Sequence, residues 1–222
     1  MNSSSKYIPA LGFNWLTKYY DWLISNFFPE KKTKTALIDQ ANILQGETVM
    51  DFGSGTGTLC MMLKQRQASA DIIGLDIDEK IINIAREKIQ KANLDIRFLQ
   101  YDGNAIPMAD NSVDKIVTSF VLHHLNTDIK EKMFREFHRV LKPGGEFHVA
   151  DFEKPANLYT KIAFQLVRWI DGKECTSINA KGKLKELIEQ NEFTSFTGGK
   201  YFNTIIATIR LFGFRKQLLT SK

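Results

Sequence analysis

The chain is 222 residues long, 43% hydrophobic and 25% charged, and 30 Lys+Arg against 25 Asp+Glu leave a formal net charge of +5. That length buries enough apolar surface to fold without disulfide or metal staples, and the composition excludes fibrous and disordered classes. Its two cysteines, Cys60 and Cys175, form no CxxC or Cys/His spacing, which argues against a disulfide scaffold or a bound metal and for a reducing, cytoplasmic setting.

The first thirty residues stand apart from the rest. Phe13–Phe28 holds seven aromatics in sixteen positions and ends at Pro29. Its spacing predicts a helix apolar on more than one face, either packed on the domain or serving as a lid over a pocket. No secretory leader is read, and no apolar run approaches the ~18 residues of a membrane span, so membrane contact, if made, is peripheral. The basic clusters Lys31–Lys34, Lys181–Lys185 and Arg215–Lys216 are short and diluted by apolar or acidic neighbours. They read as solvated surface and not as the aromatic-studded basic stripe of a nucleic-acid reader.

From Thr35 the pattern alternates. A helix over Ala36–Leu44 stops at Gly46, and Thr48–Phe52 is a strand that runs into a glycine cluster. Thr58–Leu63 is helical and Ile72–Asp76 is a second buried strand. Ile81, Ile82, Ala85 and Ile89 then recur at helical spacing. Strands follow at Ile96–Tyr101 and Lys115–Phe120, then a helix over Asp128–Leu141 with Asp128 and Glu131 as a capping box. Pro143-Gly-Gly turns the chain into a fifth strand, Glu146–Asp151. After Pro155 come an amphipathic helix over Leu158–Ile170, a helix over Lys183–Gln190, and two strand-like runs joined near Gly198-Gly199. Repeated strand–helix units imply an α/β fold: a Rossmann-like, doubly wound, mostly parallel seven-stranded sheet with an antiparallel C-terminal hairpin and helices on both faces. Residues 1–34 read as a helical cap and 35–222 as the main domain, with a helical insertion at about 155–182.

Ligands of such sheets bind at the carboxyl ends of the strands. Asp51-Phe-Gly-Ser-Gly-Thr-Gly, after the first strand, lets the backbone at Gly53, Gly55 and Gly57 meet a ligand closely. Thr58 stands where a dinucleotide fingerprint needs Gly or Ala, and no Gly-Lys-Ser/Thr ending marks a P-loop. Asp51 would repel a pyrophosphate but attract an amino group and a sulfonium, the charges of S-adenosylmethionine (SAM). Asp76 at the end of the second strand suits ribose hydroxyls and opposes a 2′-phosphate, leaving NAD and SAM open. Asp102 after the third strand could accept from an adenine amino group.

Five segments in order, Val49–Gly57, Gly74–Asp78, Asp102–Met108, Ser119–Leu125 and Arg139–Gly145, resemble the motifs of class I SAM-dependent methyltransferases. The similarity is greatest to the type 11 group that includes ubiquinone/menaquinone-biosynthesis C-methyltransferases. The resemblance covers about Thr35–Asp151. It implies SAM as cofactor, with Asp51, Gly53, Ser54, Gly55 and Gly57 at its methionine part, Asp76 on the ribose, Ile77 against the adenine face, and Asp102, Gly103 and Asn104 at the adenine edge. It also implies Ser119 under the methionine end and Tyr20 over the cofactor. The Leu158–Glu174 insertion departs from the plain quinone enzymes.

Methyl transfer from a sulfonium needs a base only when the nucleophile is protonated. His124, beside His123 after the fourth strand, is the candidate; Asp151 and Glu153 could orient the acceptor. His138 and His148 read as structural. Phe13–Phe28 and Leu158–Ile170 would wall a pocket for a small apolar or aromatic acceptor. An NAD-dependent oxidoreductase and a non-catalytic SAM-binding module are the competing readings.

Overall fold

The computed structural model describes residues 29–158, 160–161, 164–165, 174–197, 199–204 and 207–217. The expected Phe13–Phe28 helix and most of Leu158–Ile170 lie outside these residues. The elements in order are α1 (Glu30–Ala41), β1 (Thr48–Phe52), α2 (Thr58–Arg66), β2 (Asp71–Asp76), α3 (Glu79–Lys91), β3 (Arg97–Gln100) and β4 (Val113–Ser119). A 3-10 turn (Leu122–His124), α4 (Thr127–Val140), β5 (Leu141–Glu153), α5 (Ser177–Ala180), α6 (Leu184–Glu189), β6 (Phe193–Ser195), β7 (Tyr201–Asn203) and β8 (Thr208–Lys216) complete them.

The strand order is β3-β2-β1-β4-β5-β8-β6, with β7 also paired to β8. β1 to β5 are mutually parallel and β8 runs antiparallel to β5. Strands covered on both faces must be apolar throughout, and β1 is buried at Val49, Met50, Asp51 and Phe52. On one face α4 lays Met133, Phe134, Phe137 and Val140 against Phe52 and Phe147. The Phe137 ring lies 4.8 Å from that of Phe52 and 4.9 Å from that of Phe147. On the other face α1 and α3 contribute Leu37, Ile38, Ile82, Ala85 and Ile89, the helical spacing that the sequence displays. No helix of the described residues is long and apolar enough to cross a membrane.

Four local readings are corrected by the structure. The sheet has eight strands where seven were expected, because the Phe193–Phe202 run divides into β6 and β7, both on the outer edge of β8. The hairpin turn joins Asn203 to Thr208 and is not at Gly198-Gly199. The cap of α4 is Asn126, whose side chain accepts from Ile129 N at 2.9 Å, in place of Asp128 and Glu131. β5 starts at Leu141; between the pairs Val113↔Leu141 and Lys115↔Glu146 the register shifts, so Lys142–Gly145 bulge outward without ending the strand. The helix α1 begins at Glu30 and runs unbroken through position 34.

Toward the amino ends of β4 and β5 a charge network around the buried Lys115 fastens α1 and β8 to the sheet. Lys115 Nζ donates to Ala41 O (2.9 Å) and to Glu146 Oε2 (3.0 Å), while Arg215 donates to Glu146 Oε1 (2.8 Å). The hydrogen bond with His148, then those of Arg215 and Lys115, hold the Glu146 carboxyl far below its ordinary value against the opposing effect of burial. A lowered folded value stabilises the fold above the ordinary glutamate range and loses that effect as pH falls. Glu146→Gln should therefore unfold more readily than the wild type at pH 7, and urea midpoints should converge as pH falls from about 5 to 3. A constant gap across that range would show that Glu146 acts through packing alone.

Candidate functional site

The site opens where the strand order reverses, between β1 and β4, at the carboxyl ends of the strands. The loop after β1 folds back on β2: Gly53 N and Ser54 N both donate to Leu75 O, at 2.8 and 3.0 Å. Gly55 N donates to Asp76 Oδ2 at 2.8 Å, and Asp78 N to Asp76 Oδ1 at 3.1 Å. Asp76 thus joins the loop to the second strand while keeping lone pairs on both oxygens for a ligand.

All three loop glycines have positive φ, each in a different setting. A Cβ on Gly53 would fall 2.4 Å from Val121 Cγ2, and one on Gly57 2.9 Å from Phe98 Cζ. A Cβ on Gly55 would project into open space with nothing within 4 Å. Gly53 and Gly57 are therefore small for packing, whereas Gly55 faces open space.

Asp51 is buried and accepts the Cys60 S–H at 3.2 Å. Burial pushes its carboxyl up to about 6, against the Cys60 hydrogen bond and the positive charge of Lys34. Ser54 Oγ is buried without a hydrogen-bond partner. Ile77 is 45% exposed, and a Cβ at Gly103 would sit 3.4 Å from its Cδ1, so these two line one side of the opening. Asp102 is exposed; it accepts from the backbone and the side chain of Asn104, both at 2.8 Å, and those bonds lower its carboxyl. Arg139 donates to Ile106 O and Met108 O, both at 2.9 Å, and so fixes the chain that leads from this segment back into the sheet.

The second half of the site follows β4. Ser119 closes that strand beside Ala150 of β5, and Phe120, at φ 59°, turns the chain into the 3-10 turn. His123 Nδ1 lies 2.8 Å from Asp151 Oδ1, and both side chains are buried. Burial raises the Asp151 carboxyl, but the charge and hydrogen bond of His123, the Phe152 N–H and the charge of Lys130 outweigh it and keep the acid ionised. An ionised Asp151 makes Nδ1 the protonated nitrogen and leaves Nε2 as the basic one. The His124 ring packs against that of His123, tilted by 42° with centroids 4.0 Å apart. Desolvation of its ring, then the charge of His123, lowers it well below the usual histidine value although its edge reaches solvent. Lys130 is fully buried, donates to Leu125 O (2.6 Å) and Cys175 O (2.8 Å), and is pushed down to about 8 by burial.

The loop glycines, Asp51, Ser54, Asp76, Ile77, Asp102, Gly103 and Asn104 thus lie at the carboxyl ends of β1, β2 and β3, and Ser119 and the histidines follow β4. Tyr20 lies outside the described residues. Sequence reasoning weighed His124 above His123; a His-His pair on a short turn has no periodicity that reveals which ring meets Asp151. It also missed Lys130 and the Cys60–Asp51 contact.

Residues 49–145 match a family profile described as a methyltransferase domain. A demethylmenaquinone methyltransferase of Thermus thermophilus is 32% identical over 157 residues, which cover 70% of this chain and 69% of that protein. The chain belongs to the class I SAM-dependent methyltransferases. A ubiquinone/menaquinone biosynthesis C-methyltransferase of Citrobacter koseri is also 32% identical, over 148 residues; the match spans 64% of this chain but only 58% of that relative. The crystal structure of a SAM-dependent methyltransferase from Aquifex aeolicus superimposes with a TM-score of 0.63 at 21% identity, covering 89% of this chain and 97% of the other. The cofactor is SAM. The open space at Gly55 and the carboxylates of Asp51 and Asp76 beside it fit a cationic, hydroxyl-bearing cofactor and oppose a phosphate.

The glycine geometry is testable on the protein alone. Gly55→Ala should cost about 1 kcal/mol for the left-handed backbone alone. Gly53→Ala should cost more, because its methyl meets Val121, and Val121→Ala should recover part of the difference. Urea denaturation of the four proteins checks this; equal losses at the two glycines would contradict the packing assignment.

Proposed function

We propose that this methyltransferase acts on a small, apolar aromatic acceptor bearing a ring hydroxyl, a quinol, and methylates a ring carbon. The observation that carries the reading is the buried His123–Asp151 pair beside aromatic rings. The Phe152 ring lies 4.5 Å from His123, 5.9 Å from Phe120 and 5.7 Å from Phe164. The printed names of the relatives, a demethylmenaquinone methyltransferase and a quinone-biosynthesis C-methyltransferase, support the same class of ring.

Bound SAM supplies a methyl group on a positively charged sulfur. In this reading Asp51 meets its amino group, Asp76 its ribose hydroxyls, and Ile77 with Gly103 the faces of the adenine. Asp102 and Asn104 meet the adenine edge. Gly53, Ser54, Gly55, Gly57 and Ser119 enclose the methionine end, and Tyr20 covers it. His123 Nε2 would take the hydroxyl proton of the acceptor and Asp151 would balance the imidazolium that results; the proton lost from the methylated ring carbon would then restore the aromatic hydroxyl. In this reading His123 is the base, with His124 the alternative, because Asp151 Oδ1 meets His123 Nδ1 at 2.8 Å. Residues 1–34 and the insertion at about 155–182 wall the acceptor pocket of the 35–222 domain and exclude water from it.

Asp51 gives the site a pH signature. A carboxyl raised to about 6 in the fold stabilises the unliganded chain at low pH, and that contribution is lost as pH rises toward 6. Its ionised form is the one that attracts an ammonium. Binding of S-adenosylhomocysteine, measured by calorimetry, should tighten from pH 5 to 7 and then level off, whereas Asp51→Asn should be weak and pH-independent over this range.

The reaction is tested with methyl-labelled SAM and reduced 1,4-naphthoquinone. Label should enter the ring carbon. His123→Asn should lower kcat by roughly a hundredfold or more with cofactor affinity retained, and His124→Asn by less than tenfold. Label found in protein or RNA, with none in the naphthoquinol, would overturn the acceptor class; the reverse order of the two histidines would move the base to His124.

A further inference from the structure

We propose that Lys130, a buried lysine of α4 with no part in the transfer step, is a positioning residue. Its ammonium fastens the chain at Cys175 to the turn that bears His123, and so seats the end of the insertion against the reacting half of the site. This role rests on the reading above, in which the insertion walls the acceptor pocket, and adds the contact that holds it. Lys130 shares the face of α4 that carries Met133, Phe134 and Phe137 into the core. An apolar residue is the ordinary occupant of such a position, and a lysine without acceptors there would strand its charge. Its side chain is nonetheless fully buried, whereas Lys132 reaches outward to the exposed Asn104.

The two acceptors come from distant parts of the chain. Leu125 O, five residues away, accepts at 2.6 Å, and Cys175 O, 45 residues away, accepts at 2.8 Å. Leu125 follows the 3-10 turn and donates its own N–H to Leu122 O at 3.1 Å, so its carbonyl keeps a fixed relation to His123. Cys175 opens the segment that winds into α5, where Ser177 N donates to Glu174 O and Ala180 N to Thr176 O. One further bond ties that segment down: Asn179 Nδ2 donates to Phe152 O at 2.9 Å. Phe152 directly follows Asp151 and lies against His123 with ring centroids 4.5 Å apart. The segment is thus held at two points, one within two residues of His123 and the other adjoining Asp151. The bond from Asn179 is neutral. That from Lys130 is charge-assisted and the stronger, and the ammonium cannot release it while it stays in the core. From the same position its charge favours the ionised form of Asp151.

Hydrogen exchange of the full, unliganded chain reads this tie without reference to the reaction. Lys130→Met keeps the length and the apolar stem and removes the donors. Amides over 122–126 and 174–180 should exchange roughly tenfold faster in this variant, with those of β1 to β4 unchanged. With methyl-labelled SAM and reduced 1,4-naphthoquinone, the KM for the naphthoquinol should rise by roughly the same factor. Its kcat should change less, and S-adenosylhomocysteine affinity should be retained. Lys130→Gln still offers two N–H donors and should recover part of both effects; it carries the test if Lys130→Met does not fold. Exchange unchanged over 174–180, or raised equally across the sheet, would overturn the tie. Faster local exchange with the naphthoquinol KM unchanged would overturn its part in seating the acceptor pocket. A wild type that leaves the naphthoquinol unlabelled would overturn the acceptor class instead, and the exchange pattern would still decide the tie.

Discussion

The site depends on one junction, the return of the loop after β1 onto the end of β2. Leu75 O receives two consecutive N–H groups from that loop and Asp76 receives a third. Two parallel strands carry their carboxyl ends side by side, but the loops beyond them would diverge without a cross-link. Here the cross-link is made of backbone and one carboxylate, which holds the path of the loop within hydrogen-bonding tolerance. The left-handed turns it needs are available only at Gly53, Gly55 and Gly57. Everything else near the cofactor inherits its position from this tie. Asp51 precedes it, Ile77 follows Asp76 directly, and Tyr101 N bonds to Asp76 O to bring the third strand into register.

The electrostatics divide the site into two halves. Asp51 and Asp151 are both buried strand-end carboxyls, yet their environments push them in opposite directions. Asp51 faces a thiol and apolar packing, and burial raises it; Asp151 faces an imidazole, an amide and a buried ammonium, and it stays ionised. A carboxyl of the first kind gains from the arrival of a cationic ligand. One of the second kind is already committed to orienting a neighbouring ring. In the proposed reaction the first serves the cofactor end and the second the reacting end, and the order of the strands puts them on β1 and β5 with β4 between.

Much of this arrangement was legible in the sequence because it is written in periodicity and glycine. The alternation of apolar runs located β1 to β5 and the helices between them, and Asp51, Asp76 and Asp102 stood at three successive strand ends. What escaped notice was written in three dimensions. The split of the outer edge into β6 and β7 depends on both pairing with the same strand, which no local pattern records. The bulge at Lys142–Gly145 has the composition of a turn but continues a strand, because Val113 still pairs across it. The pairing of His123 with Asp151 joins residues 28 apart in the chain, beyond the reach of any local pattern.

The most direct measurement of the central claim, that this junction builds a SAM site, is calorimetry of the full chain with S-adenosylhomocysteine and with NAD, repeated on Asp76→Ala. The account requires one S-adenosylhomocysteine per chain and no measurable NAD binding. It also requires Asp76→Ala to weaken S-adenosylhomocysteine by about 2 kcal/mol, the scale of a lost charge-assisted hydrogen bond. Saturable NAD binding with none of S-adenosylhomocysteine, or an Asp76→Ala chain that binds as tightly as the wild type, would contradict it.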